Sequence, residues 1–230
     1  MRTAVKVAIG VGAAVVVGGA AVVTVGPGLY ADWANSLAAD APALTAPEQV
    51  TDADALADVD GDWTVATGSY AGYRVHEVLR GQDVDVTGRT DPASDDVTGA
   101  LTVAEGVVTA AEIEVDVARI TTDQPPRDAY FRDSVMEVGT YPTASFELTD
   151  PVPLEAAGTD VALTGDLTLR DVTREVTVTA QFAVADGGAQ VVGSVPVVFE
   201  EFGVEAPSLG FVEVEDTGSV EFSLELQPQG

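Results

Sequence analysis

The chain has 230 residues, no cysteine and a formal net charge of -28. This length allows one ordinary domain with appendages, and the lack of cysteine excludes disulfides, thiol nucleophiles and thiolate metal sites. Because a strongly acidic surface repels phosphate groups, the charge argues against nucleic acid as a partner and against electrostatic adhesion to anionic lipids.

The N-terminus combines two basic residues with a long apolar run. Arg2 and Lys6 precede residues 7–25, which are almost entirely Val, Ala, Ile and Gly. As a helix this run is roughly 28 Å long, enough to cross a bilayer. It predicts a transmembrane helix within an anchor segment, residues 1–31, whose basic end stays in the cytoplasm and whose C-terminal side lies outside it. A signal peptide has the same features, so cleavage and secretion are the alternative.

The segment after the anchor has a different composition. Residues 32–62 are rich in Ala, Asp and Pro, which predicts a flexible acidic tether. Within it, Asp58, Asp60 and Asp62 have the spacing of the first three ligands of a calcium loop. Such a loop needs Gly and Glu where this chain has Trp63 and Ser69, so we predict no metal site.

Residues 63–230 have the pattern of an all-β domain. Apolar and polar residues alternate through short runs, clearest at residues 111–117, 163–169, 176–182 and 220–226. Each run has one apolar face and one polar face, which is typical of half-buried antiparallel strands. About eight such strands bury their apolar faces either as two packed sheets or as one closed barrel, and the pattern alone does not choose between them.

One segment departs from this alternation. Phe131, Val135 and Val138 fall at helical spacing, Asp123 precedes the segment as a possible cap, and two prolines suit its first turn. We therefore predict one short helix over residues 125–138, placed to cover or plug an opening of the barrel.

Few residues point to chemistry. The only histidine in the sequence is His76, and strand alternation puts it on the face opposite Tyr73, Val75 and Glu77. A catalytic triad or a histidine metal site therefore lacks its partners, and we predict that the protein is not an enzyme and needs no cofactor. Arg127 and Asp128 lie at the start of the predicted helix, and we interpret them as a buried or semi-buried pair that fixes this loop, with contact to a ligand headgroup as the alternative.

Several motifs occur in a characteristic order. They are residues 115–122 with Arg127 and Asp128; Tyr141-Pro142 with Phe146; Gly165-Asp-Leu167-Thr-Leu169 with Val172-Thr173 and Val176; and, more weakly, Tyr73-x-Val75 and Val86-x-Gly88 with Gly99. Together these motifs, spread over residues 63–226, resemble the YceI-like family of polyisoprenoid-binding proteins. The resemblance implies an exported, lipocalin-like, antiparallel closed barrel that holds an isoprenoid lipid or quinone-like molecule in an apolar interior.

The chain departs from the family pattern at three places. Glu77 stands where the family often has histidine, Asp171 where it commonly has glycine, and Tyr130-Phe131 where it usually has His-Leu. These differences leave the fold prediction in place, while the ligand's identity and headgroup contacts do not transfer.

A closed barrel would turn one set of apolar side chains inward. We predict that the ligand-binding residues are Tyr73, Val75, Ile113, Val115, Phe131, Val135, Met136, Leu167, Leu169, Phe182 and Phe222. Burial of each lipid CH₂ contributes about 0.8 kcal/mol, so apolar walls suffice for binding. The alternative is a solid β core without a ligand, in a structural or interaction module of the cell envelope.

Overall fold

The computed structural model describes residues 27–45, 59–154, 158–185, 187–208 and 212–229. These ranges contain the α-helices α1 (Pro27–Asn35) and α2 (Pro125–Tyr130). Their strands are β1 (Gly61–Leu79), β2 (Gln82–Arg89), β3 (Val97–Ala104), β4 (Val107–Asp116), β5 (Thr143–Leu148), β6 (Val152–Pro153), β7 (Val161–Leu169), β8 (Val172–Ala185), β9 (Gly188–Val198) and β10 (Val212–Pro228).

Eight antiparallel strands close into a barrel. Their order is β1-β3-β4-β5-β7-β8-β9-β10, and β10 pairs back onto β1 from Trp63 opposite Pro228 to Leu79 opposite Val212. β1 joins the two ends of the sheet: one of its edges pairs with β10, and the first residues of its other edge pair with β3. Residues 72–79 of that second edge pair with β2. β1 has two register shifts against β10, and the first, between Ala66 and Tyr70, separates the part that pairs with β3 from the part that pairs with β2. The prediction of a closed barrel of about eight strands with one short helix is confirmed.

The helix of the barrel is shorter than predicted and changes type along its length. α2 ends at Tyr130, and one π-helical turn, Phe131–Val135, follows it. The Met136 N–H donates to the Phe131 carbonyl at 2.8 Å, five residues back. Asp123 does not cap the helix, because the capping position is Gln124 and its side chain makes no capping bond. The sequence predicts that Phe131 and Val135 lie one α-helical turn apart, but in the structure both belong to the wider π-helical turn.

The chain before the barrel is docked on β1 and β2. Tyr30 and Ala31 of α1 are buried against Leu79, Val84 and Val86. The amide of Asn35 accepts from the backbone N–H of Asp85 at 2.8 Å and donates to the Asp83 carbonyl at 3.1 Å. Further along, Arg74 donates to the Ala39 carbonyl at 2.7 Å, and the backbone N–H of Thr45 donates to Gln190 at 2.8 Å.

This docking differs from the flexible tether predicted for residues 32–62. Residues 32–45 follow a defined path across β2 and β1 to β9, and α1 crosses the predicted boundary between residues 31 and 32. The contacts join residues 35 to 145 positions apart, so local composition did not reveal them. The predicted membrane-spanning run, residues 7–25, lies outside the described residues. Within the described ranges, no helix is both long and apolar enough to span a bilayer.

The turn between β7 and β8 explains one departure from the family pattern. Arg170 and Asp171 both have positive φ, at 50° and 65°. This left-handed conformation is the one that glycine adopts without strain, and aspartate tolerates it better than most other residues. Asp171 therefore adopts the left-handed turn at a position where the resemblance implies glycine.

Gly165 provides space for an aromatic ring. A Cβ at this position would lie 2.4 Å from the ring of Phe146 and 2.5 Å from the Glu147 carbonyl oxygen on the neighbouring strand β5. The ring of Phe146 thus lies across the backbone of β7 at Gly165. This contact gives a structural reason for the phenylalanine that follows Tyr141-Pro142 and for the glycine that precedes Leu167.

Replacing Gly165 by alanine is expected to lower the free energy of unfolding by about 2 kcal/mol, since the added methyl overpacks against backbone as well as ring atoms. Urea unfolding measures the loss. Gly139→Ala is the matched control, because a Cβ there meets no atom within 4 Å. Equal unfolding midpoints for the two variants would contradict the close approach of Phe146.

Candidate functional site

The barrel encloses open space between two packed walls. One wall contains Trp63, Leu224 and Leu226, and the opposite wall contains Leu167, Val178 and Phe202. Between them lie two cavities with volumes of about 190 and 160 Å³. A single water molecule needs a cavity volume of only about 10–15 Å³, and ligand pockets have volumes from roughly 300 Å³ upward. The interior is therefore not a solid core, and the two cavities together exceed the lower limit of a ligand pocket.

The smaller space, which we call the distal cavity, has an apolar wall. It is lined by side chains such as Leu101, Ile113, Leu163 and Phe182, and its polar side chains among the described residues are Ser145 and Gln181. Such a wall offers burial to a hydrocarbon and little to a polar group.

The larger space, the helix-side cavity, is also mainly apolar but has polar groups. Phe131, Val135 and Met136 line it from the α2 side. Five side chains border both cavities and form a waist between them: Ala71, Val115, Ala144, Leu169 and Val220. The polar side chains of the helix-side cavity are Tyr73, Glu77, Arg127, Tyr130, Glu205 and Ser219.

The structure brings the predicted ligand-binding residues together around this space. Tyr73, Val75, Phe131, Val135 and Met136 line the helix-side cavity. The distal cavity is lined by Ile113, Leu167, Phe182 and Phe222, while Val115 and Leu169 lie at the waist. Their inward placement follows from strand alternation, and their contact with a ligand stays a prediction.

An aromatic pair connects the helix to the barrel wall. The rings of Tyr73 and Phe131 stack with centroids 4.8 Å apart and an interplanar angle of 24°. Gly88 on β2 makes room for this pair, since a Cβ there would lie 2.7 Å from the Tyr73 ring. Burial raises the pKa of the Tyr73 phenol, so this group is neutral at physiological pH.

The start of α2 is fixed by two separate interactions. Asp128 is buried, with 6% of its surface exposed, and its carboxylate accepts from the Thr122 backbone N–H at 2.8 Å and from the Thr122 hydroxyl at 2.7 Å. Arg127 pairs with Asp123, at 2.7 Å between Nη1 and Oδ1. The sequence interpretation of Arg127 and Asp128 as one mutual pair is therefore wrong, because each finds its partner in the preceding loop.

Glu77 is the polar cavity residue whose role the sequence interpretation missed. It faces inward from β1, and among the described residues its carboxylate makes no hydrogen bond and no ion pair within 4 Å. Burial raises the pKa of Glu77, the positive charge of Arg127 lowers it, and the negative charge of Asp123 raises it further. The sequence did carry a signal for this position, because strand alternation puts Glu77 on the same face as the inward residues Tyr73 and Val75.

Glu77→Gln is expected to stabilise the barrel at neutral pH, with the advantage shrinking as the pH falls. Because the folded-state pKa is raised, the folded chain binds the proton more tightly than the unfolded chain. The stability that the neutral Glu77 carboxyl contributes is therefore fully present at pH values below the pKa that Glu77 has in the unfolded chain. It is lost as the pH rises through the pKa that Glu77 has in the folded chain. Urea unfolding between pH 4 and pH 8 tests this, with Glu147→Gln, an exposed acid on β5, as the control. The same pH trend in both variants would contradict the prediction.

His76 lies on the outside of the barrel, as the alternation predicts. Its Nδ1 lies 3.0 Å from an Asp85 carboxylate oxygen and its Nε2 lies 3.4 Å from Asp83. The hydrogen bond with Asp85 raises the pKa of His76, burial opposes this, and Asp83 adds to it. The imidazole is therefore engaged by surface carboxylates and separated from the cavities by the wall of β1.

The chain is similar to known proteins in sequence and in fold. Residues 63–226 match the family model of the YceI-like domain, and none of the curated proteins matches the chain. The fold is similar to that of BcnA from Burkholderia cenocepacia, at 19% identity and a TM-score of 0.53, over 66% of this chain and 95% of BcnA.

A second solved structure has the same fold. It is a polyisoprenoid binding domain from Saccharophagus degradans implicated in plant cell wall breakdown, similar at 21% identity and a TM-score of 0.54, over 73% of this chain and 98% of that domain. At these identities the two structures support the fold alone. The family model covers most of the chain and, apart from two residues at each end, all of the barrel strands that line the cavities. The chain belongs to the YceI-like domain family.

Proposed function

We propose that this protein is a carrier that holds an isoprenoid or similar long apolar lipid inside its barrel and does not transform it. The observation that carries this proposal is the pair of apolar cavities that meet at a shared waist. Each buried CH₂ contributes about 0.8 kcal/mol, so a chain through both cavities needs no further polar contact for affinity. The solved domain from Saccharophagus degradans, described as polyisoprenoid binding, is consistent with this ligand class.

Two observations oppose the other functions considered. The open interior opposes a solid-cored interaction module of the envelope. The outward position of His76 opposes a hydrolytic site in the cavity, because the sequence has no second histidine to act as a base there.

Native mass spectrometry with organic extraction tests the carrier function. The full-length chain, with a protease site inserted before Pro27, is folded in a bacterial host and then cut to release the barrel with α1. We expect a stoichiometric isoprenoid or quinone-like lipid on the released protein. A ligand-free mass that stays unchanged after incubation with polyprenols and quinones would overturn the proposal.

We further propose that the barrel is tethered to the outer side of the cell membrane by the apolar run at residues 7–25. The basic residues Arg2 and Lys6 support this orientation. Leu29, Trp33 and Leu37 support close contact with the bilayer, since they are exposed by 64%, 48% and 44%; the first two lie one turn apart on α1 and Leu37 follows its end. Because α1 is docked on β2, the barrel itself would lie near the membrane surface.

The lack of cysteine allows a simple test of this topology. Ala162 is exposed on β7, and Ala162→Cys gives the chain a single thiol. We expect a membrane-impermeant maleimide to label this variant in intact cells. Labelling that requires lysis would contradict the external location.

A further inference from the structure

Polar groups are concentrated at one end of the lipid path. Among the described residues, the ionisable side chains that border the interior all lie in the helix-side cavity. Along β1 the inward side chains begin with Ala71 at the waist and reach Glu77 six residues later, roughly 20 Å along the strand. A lipid with its tail in the distal cavity therefore places its polar end near Glu77.

The charge at this end is negative. Arg127 is the positive group on the cavity wall, and its guanidinium already pairs with Asp123 at 2.7 Å. The neighbouring carboxylate of Asp128 is held by Thr122. Glu77 and Glu205 remain as acids on the wall, and His76 points to the outer surface beside Asp85.

These groups favour one kind of headgroup. An anionic headgroup would approach the unpaired carboxylate of Glu77 in a partly dehydrated site, where like charges repel more strongly than in water. An alcohol would instead donate a hydrogen bond to the same carboxylate, and a bond to a charged acceptor is among the stronger ones. Burial raises the pKa of Glu77 because the ionised carboxylate is poorly solvated there, and a hydrogen-bond donor would replace part of that lost solvation.

We propose that the helix-side cavity selects lipids whose polar end is uncharged and donates a hydrogen bond, as a primary alcohol does, over lipids that end in a phosphate. Glu77 is the residue that sets this preference. The inference rests on the proposed lipid-carrier function and adds the chemical class of the headgroup.

Displacement of radiolabelled geranylgeraniol from the full-length chain in nanodiscs tests this inference. The competitors are unlabelled geranylgeraniol and geranylgeranyl phosphate, which have the same tail. We expect the alcohol to compete at a concentration at least about tenfold lower than the phosphate, the ratio that 1.4 kcal/mol of selectivity produces. In Glu77→Gln the ratio of the competing concentration of the phosphate to that of the alcohol should fall to about threefold or less, because the charge that repels the phosphate is gone.

Glu147→Gln removes an equal charge from the outer face of β5 and should leave the ratio unchanged. Equal competition by both lipids in the natural chain would overturn the inference while leaving the carrier function intact. An unchanged ratio in Glu77→Gln would overturn the role of that residue. If neither lipid shows saturable binding, the carrier function fails and this inference fails with it.

Discussion

Replacing Ala144 by phenylalanine is expected to reduce retained lipid at least about tenfold, because the ring would fill the waist that a lipid occupying both cavities must cross. This removes roughly 0.8 kcal/mol for each CH₂ that no longer enters. Ala144 borders both cavities and pairs directly with Val115, another residue of the waist. The lipid content per protein is measured by extraction and mass spectrometry.

The matched control for Ala144→Phe is Ala162→Phe, which places the same ring on the exposed face of β7. We expect the control to retain lipid at the natural level. Thermal unfolding of both variants separates a blocked passage from a damaged fold, since overpacking costs about 1–3 kcal/mol. A folded Ala144→Phe protein that still carries stoichiometric lipid would show that the ligand does not cross the waist.

Replacing Asp128 by alanine is expected to lower the free energy of unfolding by about 3 kcal/mol, because hydrogen bonds to a buried charge are strong and their loss leaves donors unsatisfied. Both donors come from Thr122, so the substitution frees the loop that leads into α2. Urea unfolding measures the loss of stability. Hydrogen exchange of residues 125–136 measures the loosening of the helix over the cavity.

The control for Asp128→Ala is Asp123→Ala, a carboxylate five residues earlier in the same segment. Asp123 is exposed and pairs with Arg127 four residues later, and such surface pairs contribute less than about 1 kcal/mol. We expect its unfolding midpoint to remain close to that of the natural chain. Equal losses in the two variants would mean that the buried bonds of Asp128 have no special role in fixing α2.

Much of the barrel was predictable because strand alternation is a local property. The sequence interpretation placed Tyr73 and Val75 on one face and His76 on the other, and the structure has the same arrangement. The helix after residue 124 was predictable from its prolines and apolar spacing. Its π-helical turn was not, and in the structure Phe131, the first residue of that turn, stacks against Tyr73 of β1.

The docking of α1 and the partners of Arg127 and Asp128 were also beyond the sequence interpretation. Residues 32–45 have the composition of a tether, yet Asn35 bonds to β2 about fifty positions later. Arg127 and Asp128 are adjacent in the chain and opposite in charge, which favoured a mutual pair. The loop from Thr122 to Asp123 instead approaches both side chains from the preceding turn.

The sequence by itself determined which faces of the strands are apolar and where the helix after residue 124 begins, because each of these depends on neighbours within a few positions. Only the tertiary structure decided that β10 closes onto β1, that the interior stays open as two cavities, and that Glu77 has no close partner among the described residues at the polar end. These features depend on strands far apart in the chain, and on how completely their side chains fill the space between them.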